Sequence, residues 1–320
     1  KLPLLECVQA AEKTMMEKPA ARGYLPIDGI AAYDAAVKSL VFGADSEPVK
    51  SGRIATVQGI GGTGGLKIGA DFLKKLNPAA KVLISDPSWE NHRALFSSAG
   101  FIVESYRYYD AATRGVDFIG MLADLNAAAP GTIILRNACC HNPTGYDITG
   151  AQLDQVIAVV KAKNLVPFLD MAYQGFGNGI TEDGAVIGKF VAAGLDFFVS
   201  TSFSKSFSLY GERVGALSVL CASKEEADRV LSQLKTVIRT NYSNPPIHGG
   251  AVVAAVLGSP ELRAMWEKEL AAMRVRIKAM RQKLVDGLKA AGVQQDMSFI
   301  TTQIGMFSYS GLTKDQMVRL

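Results

Sequence analysis

The chain has 320 residues, of which 48% are hydrophobic and 20% are charged, which is typical of a globular protein and excludes a disordered, collagenous or acidic-tail protein. The 34 Lys and Arg residues exceed the 30 Asp and Glu residues by only four, and no Lys/Arg block carries the surplus. This balance argues against nucleic-acid or membrane-surface binding through a basic field. At roughly 150 residues per domain, the length predicts one large or two ordinary domains.

The cysteines and the apolar runs indicate the compartment. The four cysteines, at positions 7, 139, 140 and 221, show no CxxC or metal-ligand spacing, and the adjacent pair could hardly form an unstrained disulfide. We therefore expect a reducing cytoplasm. The most apolar stretches, such as 251–257, are far shorter than the roughly 18 residues that span a bilayer. We expect a soluble protein that binds neither a membrane nor nucleic acid.

Short β-branched segments alternate with longer segments of helical period over the first two thirds of the chain. The segments are apolar on both sides, which predicts an α/β fold with a mostly parallel sheet covered by helices on both faces. Beyond them the sequence is mainly helical from Lys224 to Ala291, and a last strand is predicted at Gly305–Tyr309. The earlier predicted strands are a weak one at Arg53–Val57, then Lys81–Ser85, Phe101–Tyr106, Thr132–Leu135, Val166–Leu169, Phe197–Thr201 and Val214–Leu220.

The long helical segment that starts at Pro260 indicates a bridge between two domains. We expect a large domain over residues 1–270, whose first residues could belong to the junction with the smaller domain. Residues 271–320 would then form the bridging helix and the start of a smaller α/β domain. Because the chain opens on Lys1 and its residues 313–320 resemble the opening of an amphipathic helix, we expect both ends to be incomplete.

The segment Gly59–Gly64 matches G-x-G-x-x-G, follows the weak strand and precedes a helix predicted over Leu66–Leu76. Glycines let backbone N–H groups approach a phosphate at a helix N-terminus. A dinucleotide site would need an acidic residue about 20 positions later, and Asp86 lies somewhat too far. A phosphate cradle, a plain tight turn and a dinucleotide fingerprint all stay open.

Ligands in such folds bind beyond the carboxyl ends of the strands. Lys205 lies just past one of these ends, with Ser202 before it and Arg213 after it, and these two side chains suit a phosphate. An isolated lysine would be a solvated surface residue. A lysine beside a phosphate site instead indicates a Schiff base, because cationic neighbours and partial burial depress its pKa.

Asp170 ends an apolar strand and needs a partner such as a protonated pyridine nitrogen, unless it caps the next helix. If Asp170–Tyr173 forms a helical turn, Tyr173 presents its phenol on the same side. Asn142 could donate to a phenolate-like oxygen or simply form a turn. Trp89 could stack on a ring or belong to the core, and His92 could support Asp170.

Two other chemistries find no support in the sequence. No G-x-S-x-G nucleophile elbow is present. His141 and His248 have no Cys, His or Glu at metal-ligand spacing, so we predict no metal site and interpret both as structural or outer-shell residues.

Together these motifs resemble fold-type I pyridoxal-phosphate enzymes, and more narrowly the aspartate and aromatic amino-acid aminotransferase group of class I. The resemblance extends over essentially the whole chain. It rests on Tyr24-Leu25-Pro26-Ile27, Gly61-Gly62-Thr63-Gly64, Pro87-Ser88-Trp89-Glu90-Asn91-His92, Asn142-Pro143-Thr144-Gly145, Asp170-Met171-Ala172-Tyr173, Ser202-Phe203-Ser204-Lys205, Arg213 and Arg239-Thr240-Asn241-Tyr242-Ser243-Asn244-Pro245-Pro246.

The resemblance implies a catalytic role for Lys205, Asp170, Tyr173 and Trp89. Lys205 would hold pyridoxal 5′-phosphate as a Schiff base and shuttle a proton, and Asp170 would pair with the ring nitrogen so that the ring stays an electron sink. Tyr173 and Asn142 would hydrogen-bond the ring oxygen, and Trp89 would stack on the ring. His92 would brace Asp170 from behind. The phosphate would be held by Gly61, Gly62, Thr63, Ser202 and Arg213, and the substrate would also contact Trp89 and Asn142.

The same family is homodimeric with shared active sites. The resemblance therefore implies that Tyr24 reaches the partner's phosphate and that Arg239 binds the distal carboxylate of the partner's substrate. Without it, Tyr24 would be a loop aromatic and Arg239 a cation at a helix C-terminus. The implied reaction is ping-pong transamination of aspartate or an aromatic amino acid with 2-oxoglutarate, and Arg239 does not separate the two donors.

The family's arginine for the substrate α-carboxylate should lie beyond Leu320, and its N-terminal arm should precede Lys1. We therefore expect the 320-residue piece alone to be impaired. Two alternatives stay open: a nicotinamide-dependent dehydrogenase built on Gly59–Gly64, and a non-catalytic scaffold that keeps the fold.

Overall fold

A central sheet organises the structure, a computed structural model that describes residues 2–319. Seven of the strands within these residues correspond to predicted ones, with ends that differ by a few positions, and two short ones, Tyr109–Asp110 and Gly115–Val116, were not predicted. In chain order they are β1 (Ile54–Ile60), β2 (Lys81–Asp86), β3 (Ile102–Arg107), β4 (Tyr109–Asp110), β5 (Gly115–Val116), β6 (Ile133–Asn137), β7 (Val166–Met171), β8 (Phe197–Ser202) and β9 (Val214–Leu220).

Seven of these strands form one mixed sheet in the order β1-β9-β8-β7-β6-β2-β3. β9 runs antiparallel to both of its neighbours, β1 and β8. The pairs among β8, β7, β6, β2 and β3 are parallel. β4 and β5 form a separate two-stranded ribbon. The predicted α/β fold with a mostly parallel sheet is confirmed.

Helices connect the strands and cover the sheet. Several begin at side-chain caps, among them the capping box in which Thr149 and Gln152 each bond the other's backbone N–H. The helices are α1 (Glu6–Glu17), α2 (Ala31–Phe42), α3 (Glu47–Lys50), α4 (Gly61–Leu76), α5 (Glu90–Ser98), α6 (Phe118–Ala127), α7 (Gly150–Ala162), α8 (Ile180–Ala192), α9 (Lys224–Asn241), α10 (His248–Gly258), α11 (Pro260–Ala290) and α12 (Lys314–Arg319), with 3₁₀ turns at Tyr210–Glu212 and Ser298–Thr302.

The core consists of apolar layers on both faces of the sheet. Along β8, Phe197 and Val199 pack into one cluster, whereas Phe198 packs into the other. This alternation follows from the two-residue period of a strand, and it explains why β8 is apolar on both sides. Because both faces are covered by helices, only the ends of the strands are open to a ligand.

Two predicted elements differ in the structure. The helix predicted from Leu66 begins at Gly61, so the glycine-rich segment itself forms its first turn. The strand predicted at Gly305–Tyr309 is wrong: this segment is irregular. Its backbone groups bond to side chains instead of a neighbouring strand, because the Arg281 guanidinium donates to the carbonyls of Gly305 and Phe307, both at 2.6 Å.

The long helix α11 passes residue 270 without a break. Trp266 and Leu270 are buried against the core, whereas most of the residues after them are exposed. The helix predicted to open near residue 313 is present as α12, while Lys1 and Leu320 lie outside the described residues. Within residues 2–319, no helix combines the length and apolar character that a membrane crossing needs.

Candidate active site

A cavity of about 410 Å³ opens at the carboxyl ends of β6, β7 and β8. Residues from several separate loops meet in it, as expected when the ends of parallel strands share one edge of a sheet. The cavity is lined by Gly62, Thr63, Leu66, Trp89, Asn137, Asn142, Asp170, Ala172, Tyr173, Ser202, Ser204, Lys205, Tyr210, Arg213 and Phe307.

Asp170 lies near the end of β7 and is only 4% exposed. Its Oδ2 is 2.7 Å from Nε2 of His92, and Nδ1 of His92 is 2.9 Å from the hydroxyl of Ser88. A buried carboxylate with one hydrogen-bonded oxygen still has lone pairs for a cationic partner in the cavity. Ser88 therefore orients the ring of His92, and His92 in turn holds Asp170, as predicted.

Tyr173 reaches the cavity from an irregular bend. β7 ends at Met171, so the proposed helical turn from Asp170 to Tyr173 is wrong; the chain is still extended there because Asp170 and Met171 pair with β8. The side-chain amide of Asn142 donates to the phenol oxygen of Tyr173 at 3.1 Å. Burial raises the pKa of Tyr173, so its hydroxyl stays protonated and available as a donor.

Lys205 follows β8 and reaches the same cavity. Its Nζ lies 5.0 Å from the centre of the Tyr173 ring. Partial burial lowers the pKa of this amine, Asp170 opposes that effect, and Arg213 adds to it. A lowered pKa increases the fraction of neutral amine, which is the form that attacks a carbonyl.

The first turn of α4 forms a cradle against β8 and β9. Gly61 has φ of 67°, which favours glycine, and a Cβ atom at Gly62 would lie 2.9 Å from the Cβ of Ser202. The Ser200 hydroxyl fixes this turn by donating to the Gly62 carbonyl at 2.9 Å. Arg213 stands beside the turn, and its Nη1 donates to the carbonyl of Tyr210 at 2.9 Å. A helix N-terminus, hydroxyls and a guanidinium together make an anion site.

The remaining predicted residues divide into two groups. Trp89 is half-buried at the cavity wall, with its ring centre 5.2 Å from that of His92. Tyr24 is 96% exposed and Arg239 is exposed on α9, where its guanidinium bonds the hydroxyl of Ser243. The described chain does not bring either of the latter two into the cavity.

Six residues of the cavity wall were not assigned to the site by sequence reasoning: Leu66, Asn137, Ala172, Ser204, Tyr210 and Phe307. Asn137 carries the same signal as Asp170, a polar residue at the end of an apolar strand, and could have been found. Phe307 packs edge-on against Tyr173, with ring centres 5.6 Å apart. It comes from the segment that the sequence had indicated as a strand, so no local pattern assigned it to the site.

The buried polar groups beside the cavity have structural roles. Burial lowers the pKa of His141 to about 3, and its ring nitrogens are 2.8 Å from the hydroxyls of Ser85 and Thr144. Cys139, Cys140 and Asp183 place possible ligand atoms within 4.8 Å of one another. However, the two oxygens of Asp183 together already accept three backbone N–H groups. This is the arrangement of a side chain that anchors a loop.

These groups fit pyridoxal phosphate. The cradle matches its phosphate, a buried carboxylate matches its ring nitrogen, and an amine of lowered pKa matches its aldehyde. The phenol and amide of Tyr173 and Asn142 match the ring hydroxyl. Fold and cavity therefore define a pyridoxal-phosphate enzyme of the α/β type.

The family assignment agrees with this class. Residues 1–320 match the family described as aminotransferase class I and II, and the chain belongs to it. The cofactor is pyridoxal phosphate, and the predicted membership of the aspartate and aromatic aminotransferase group is confirmed.

Similar proteins include both kinds of aminotransferase. The chain is 62% identical to aspartate aminotransferase of Pseudomonas aeruginosa and 50% identical to aromatic-amino-acid aminotransferase of Escherichia coli, over all of this chain and 80% and 81% of theirs. A crystal structure of the aromatic-amino-acid aminotransferase from Burkholderia pseudomallei, covalently bound to pyridoxal phosphate, is 66% identical with a TM-score of 0.98. That match covers 100% of this chain and 80% of the other.

Proposed function

We propose that this enzyme transfers the amino group of aspartate or an aromatic amino acid to 2-oxoglutarate, using the residues of the described cavity. The observation that carries the proposal is the meeting of Lys205, Asp170 and the glycine cradle in one cavity. Relatives named aspartate and aromatic-amino-acid aminotransferases support the reaction. They give no support to a nicotinamide-dependent dehydrogenase or a non-catalytic scaffold.

Pyridoxal phosphate, when bound, withdraws electrons from the substrate and so makes its α-hydrogen acidic. Lys205 would bind the cofactor through Nζ and, once released by the substrate, would carry a proton on that same atom. Its lowered pKa suits this role, because the amine must accept and release a proton near neutral pH.

Asp170 would bind the ring nitrogen through the oxygen that His92 does not occupy. A carboxylate here favours the protonated ring, and His92 and Ser88 fix its orientation from the opposite side. Tyr173 and Asn142 would hold the ring oxygen, and Trp89 would cover the face of the ring.

The phosphate would be held by Gly61, Gly62 and Thr63 in the first turn of α4, with Ser202 and Arg213 opposite them. The N–H of Gly61 donates to the carbonyl of Arg213 at 3.0 Å, which leaves the N–H groups of Gly62 and Thr63, without helical acceptors of their own, for the phosphate. The positive end of the helix also favours an anion. These groups would anchor the cofactor by its phosphate.

We further propose a homodimer with shared sites. Tyr24 and Arg239 are both exposed and lie outside the cavity of their own chain, which supports a role in a neighbouring chain. Tyr24 would contact the partner's phosphate, and Arg239 would bind the distal carboxylate of aspartate or 2-oxoglutarate.

The domain division and the location complete the proposal. We assign residues 1–270 to the cofactor-binding domain, and residues 271–320 to the bridging helix and the start of the small domain. The exposure of α11 after Leu270 supports this division. The four cysteines are free and buried, which supports a cytoplasmic enzyme.

Shared sites are tested by complementation between two inactive variants. Lys205→Ala and Arg239→Gln are co-expressed, and the mixed dimer is isolated with two different affinity tags. If Arg239 serves the partner, one site of the mixed dimer is intact and about half of the activity with aspartate returns. Arg229→Gln, an exposed arginine on the same helix, is the control and should keep its activity.

The reaction is tested by adding aspartate, tyrosine and phenylalanine separately to the enzyme loaded with pyridoxal phosphate. We expect the visible absorbance to change to that of the pyridoxamine form with at least one donor, and 2-oxoglutarate to reverse the change. A spectrum that no donor alters would refute transamination.

A further inference from the structure

Asn137 is the last residue of β6, and its buried side chain is not fully hydrogen-bonded. It is 6% exposed, and its Oδ1 has no hydrogen-bond partner among residues 2–319. A buried polar atom without a partner costs about 1–3 kcal/mol, so proteins rarely keep one without a reason.

The place of Asn137 connects it to the cofactor. It is the register partner of Asp170 on the adjacent strand, and the N–H of Ala138 donates to the carbonyl of Asp170 at 2.8 Å. Paired residues of neighbouring strands project on the same face of a sheet, and both side chains line the cavity. The same strand continues into the loop that carries Asn142. Asn137 therefore lines the same cavity as Asp170, one strand away from it.

A second buried side chain without a partner allows a comparison. Oγ1 of Thr201 on β8 also finds no partner in the described part of the chain, but Thr201 is not part of the cavity wall. Its neighbours Ser200 and Ser202 alternate to the other face, as strand geometry requires. A ligand in the cavity can therefore satisfy Asn137 and cannot reach Thr201.

We propose that Asn137 is a further cofactor-contacting residue. When the pyridoxal ring occupies the cavity, Oδ1 of Asn137 accepts a hydrogen bond from a water molecule held between this side chain and the edge of the ring. Asn137 then contacts the ring, through that water, from the strand next to Asp170. This inference rests on the proposed placement of the cofactor.

The test measures binding of pyridoxamine 5′-phosphate to the cofactor-free enzyme by calorimetry, because this ligand forms no bond with Lys205. We expect Asn137→Leu, which keeps the volume and removes the amide, to bind it about tenfold more weakly than the wild type. The melting temperature of the cofactor-free variant should be unchanged or higher, because an unpartnered polar atom is gone. Thr201→Val should leave the affinity unchanged. Asn137→Ala serves as a second variant in case leucine prevents folding.

Each other result decides against the inference. Wild-type affinity in both Asn137 variants would overturn it, and so would an equal loss of affinity in Thr201→Val. If the wild type itself bound no pyridoxamine phosphate, the proposed function would fail first, independently of any variant.

Discussion

Asp183 anchors the loop that follows Tyr173, and its removal should destabilise the protein strongly. The side chain is buried at the start of α8. Its Oδ2 accepts the N–H groups of Gly175 and Gly177 at 2.8 and 2.9 Å, and Oδ1 accepts that of Asn178 at 2.9 Å. Asp183→Ala leaves two buried donors, the N–H groups of Gly175 and Gly177, and the part-buried N–H of Asn178 without this acceptor.

The magnitude follows from these three contacts. A buried N–H that loses its acceptor costs about 1–3 kcal/mol, so the two buried donors give a loss of about 3 kcal/mol in the free energy of unfolding, and the part-buried donor adds less. Hydrogen bonds to a charged acceptor are stronger, but removing a buried carboxylate also relieves its desolvation, and the two corrections oppose each other.

Urea unfolding of the cofactor-free protein measures this loss, with midpoints compared at a common slope. Glu182→Ala is the matched control, because Glu182 is the exposed neighbour on the same helix turn and should cost less than about 1 kcal/mol. A loss below about 1 kcal/mol for Asp183→Ala, or equal losses for both variants, would refute the anchor.

Three further changes test other parts of the structure. Burial raises the pKa of Asp34 from 3.8 to about 8, so the folded state holds a proton that the unfolded chain releases, and stability falls as pH rises through that window. Asp34→Asn should reduce the difference in unfolding free energy between pH 5 and pH 8 by about 3 kcal/mol, measured by urea unfolding at both pH values. Arg281→Met removes the donor of the carbonyls of Gly305 and Phe307 and should cost about 2 kcal/mol in the same assay. Ser88→Ala removes the hydrogen bond that orients His92 and should lower kcat about tenfold with little change in KM, as steady-state kinetics would show.

Matched variants separate these effects from general damage. Arg276→Met changes an exposed arginine on the same helix as Arg281, and Ser97→Ala changes an exposed serine on the same helix as His92. Both should behave as the wild type. If Asp34→Asn leaves the pH dependence of stability unchanged, the interpretation of Asp34 is contradicted. The same holds for Arg281 if Arg281→Met leaves the free energy of unfolding unchanged, and for Ser88 if Ser88→Ala leaves kcat unchanged.

The sequence was sufficient for the fold and for residues whose roles follow from strand ends. The apolar runs of β6 to β9 identify a covered sheet because both faces of such strands must be buried. The end of β7 and the loop after β8 supply Asp170 and Lys205 at positions that any parallel sheet places together. The glycines of α4 are informative because φ of 67° at Gly61 and the close approach of Ser202 leave no room for a side chain.

Contacts between distant segments could not be predicted in this way. Phe307 reaches the cavity because Arg281, on α11, donates to the carbonyls of Gly305 and Phe307 and to the hydroxyl of Ser308. No local periodicity records these contacts. The sequence had indicated a strand in this segment, but no strand of residues 2–319 pairs with it. Asn137 was missed because the predicted strand ended too early at Leu135.

The covalent attachment of the cofactor to Lys205 is the central claim, and it can be measured directly. The enzyme loaded with pyridoxal phosphate is reduced with sodium borohydride, digested and analysed by mass spectrometry, with Lys205→Ala treated in parallel. We predict a phosphopyridoxyl group on the peptide that contains Lys205 and none on the variant. A modification on a different lysine, or the same labelling in Lys205→Ala, would contradict the assignment of this site.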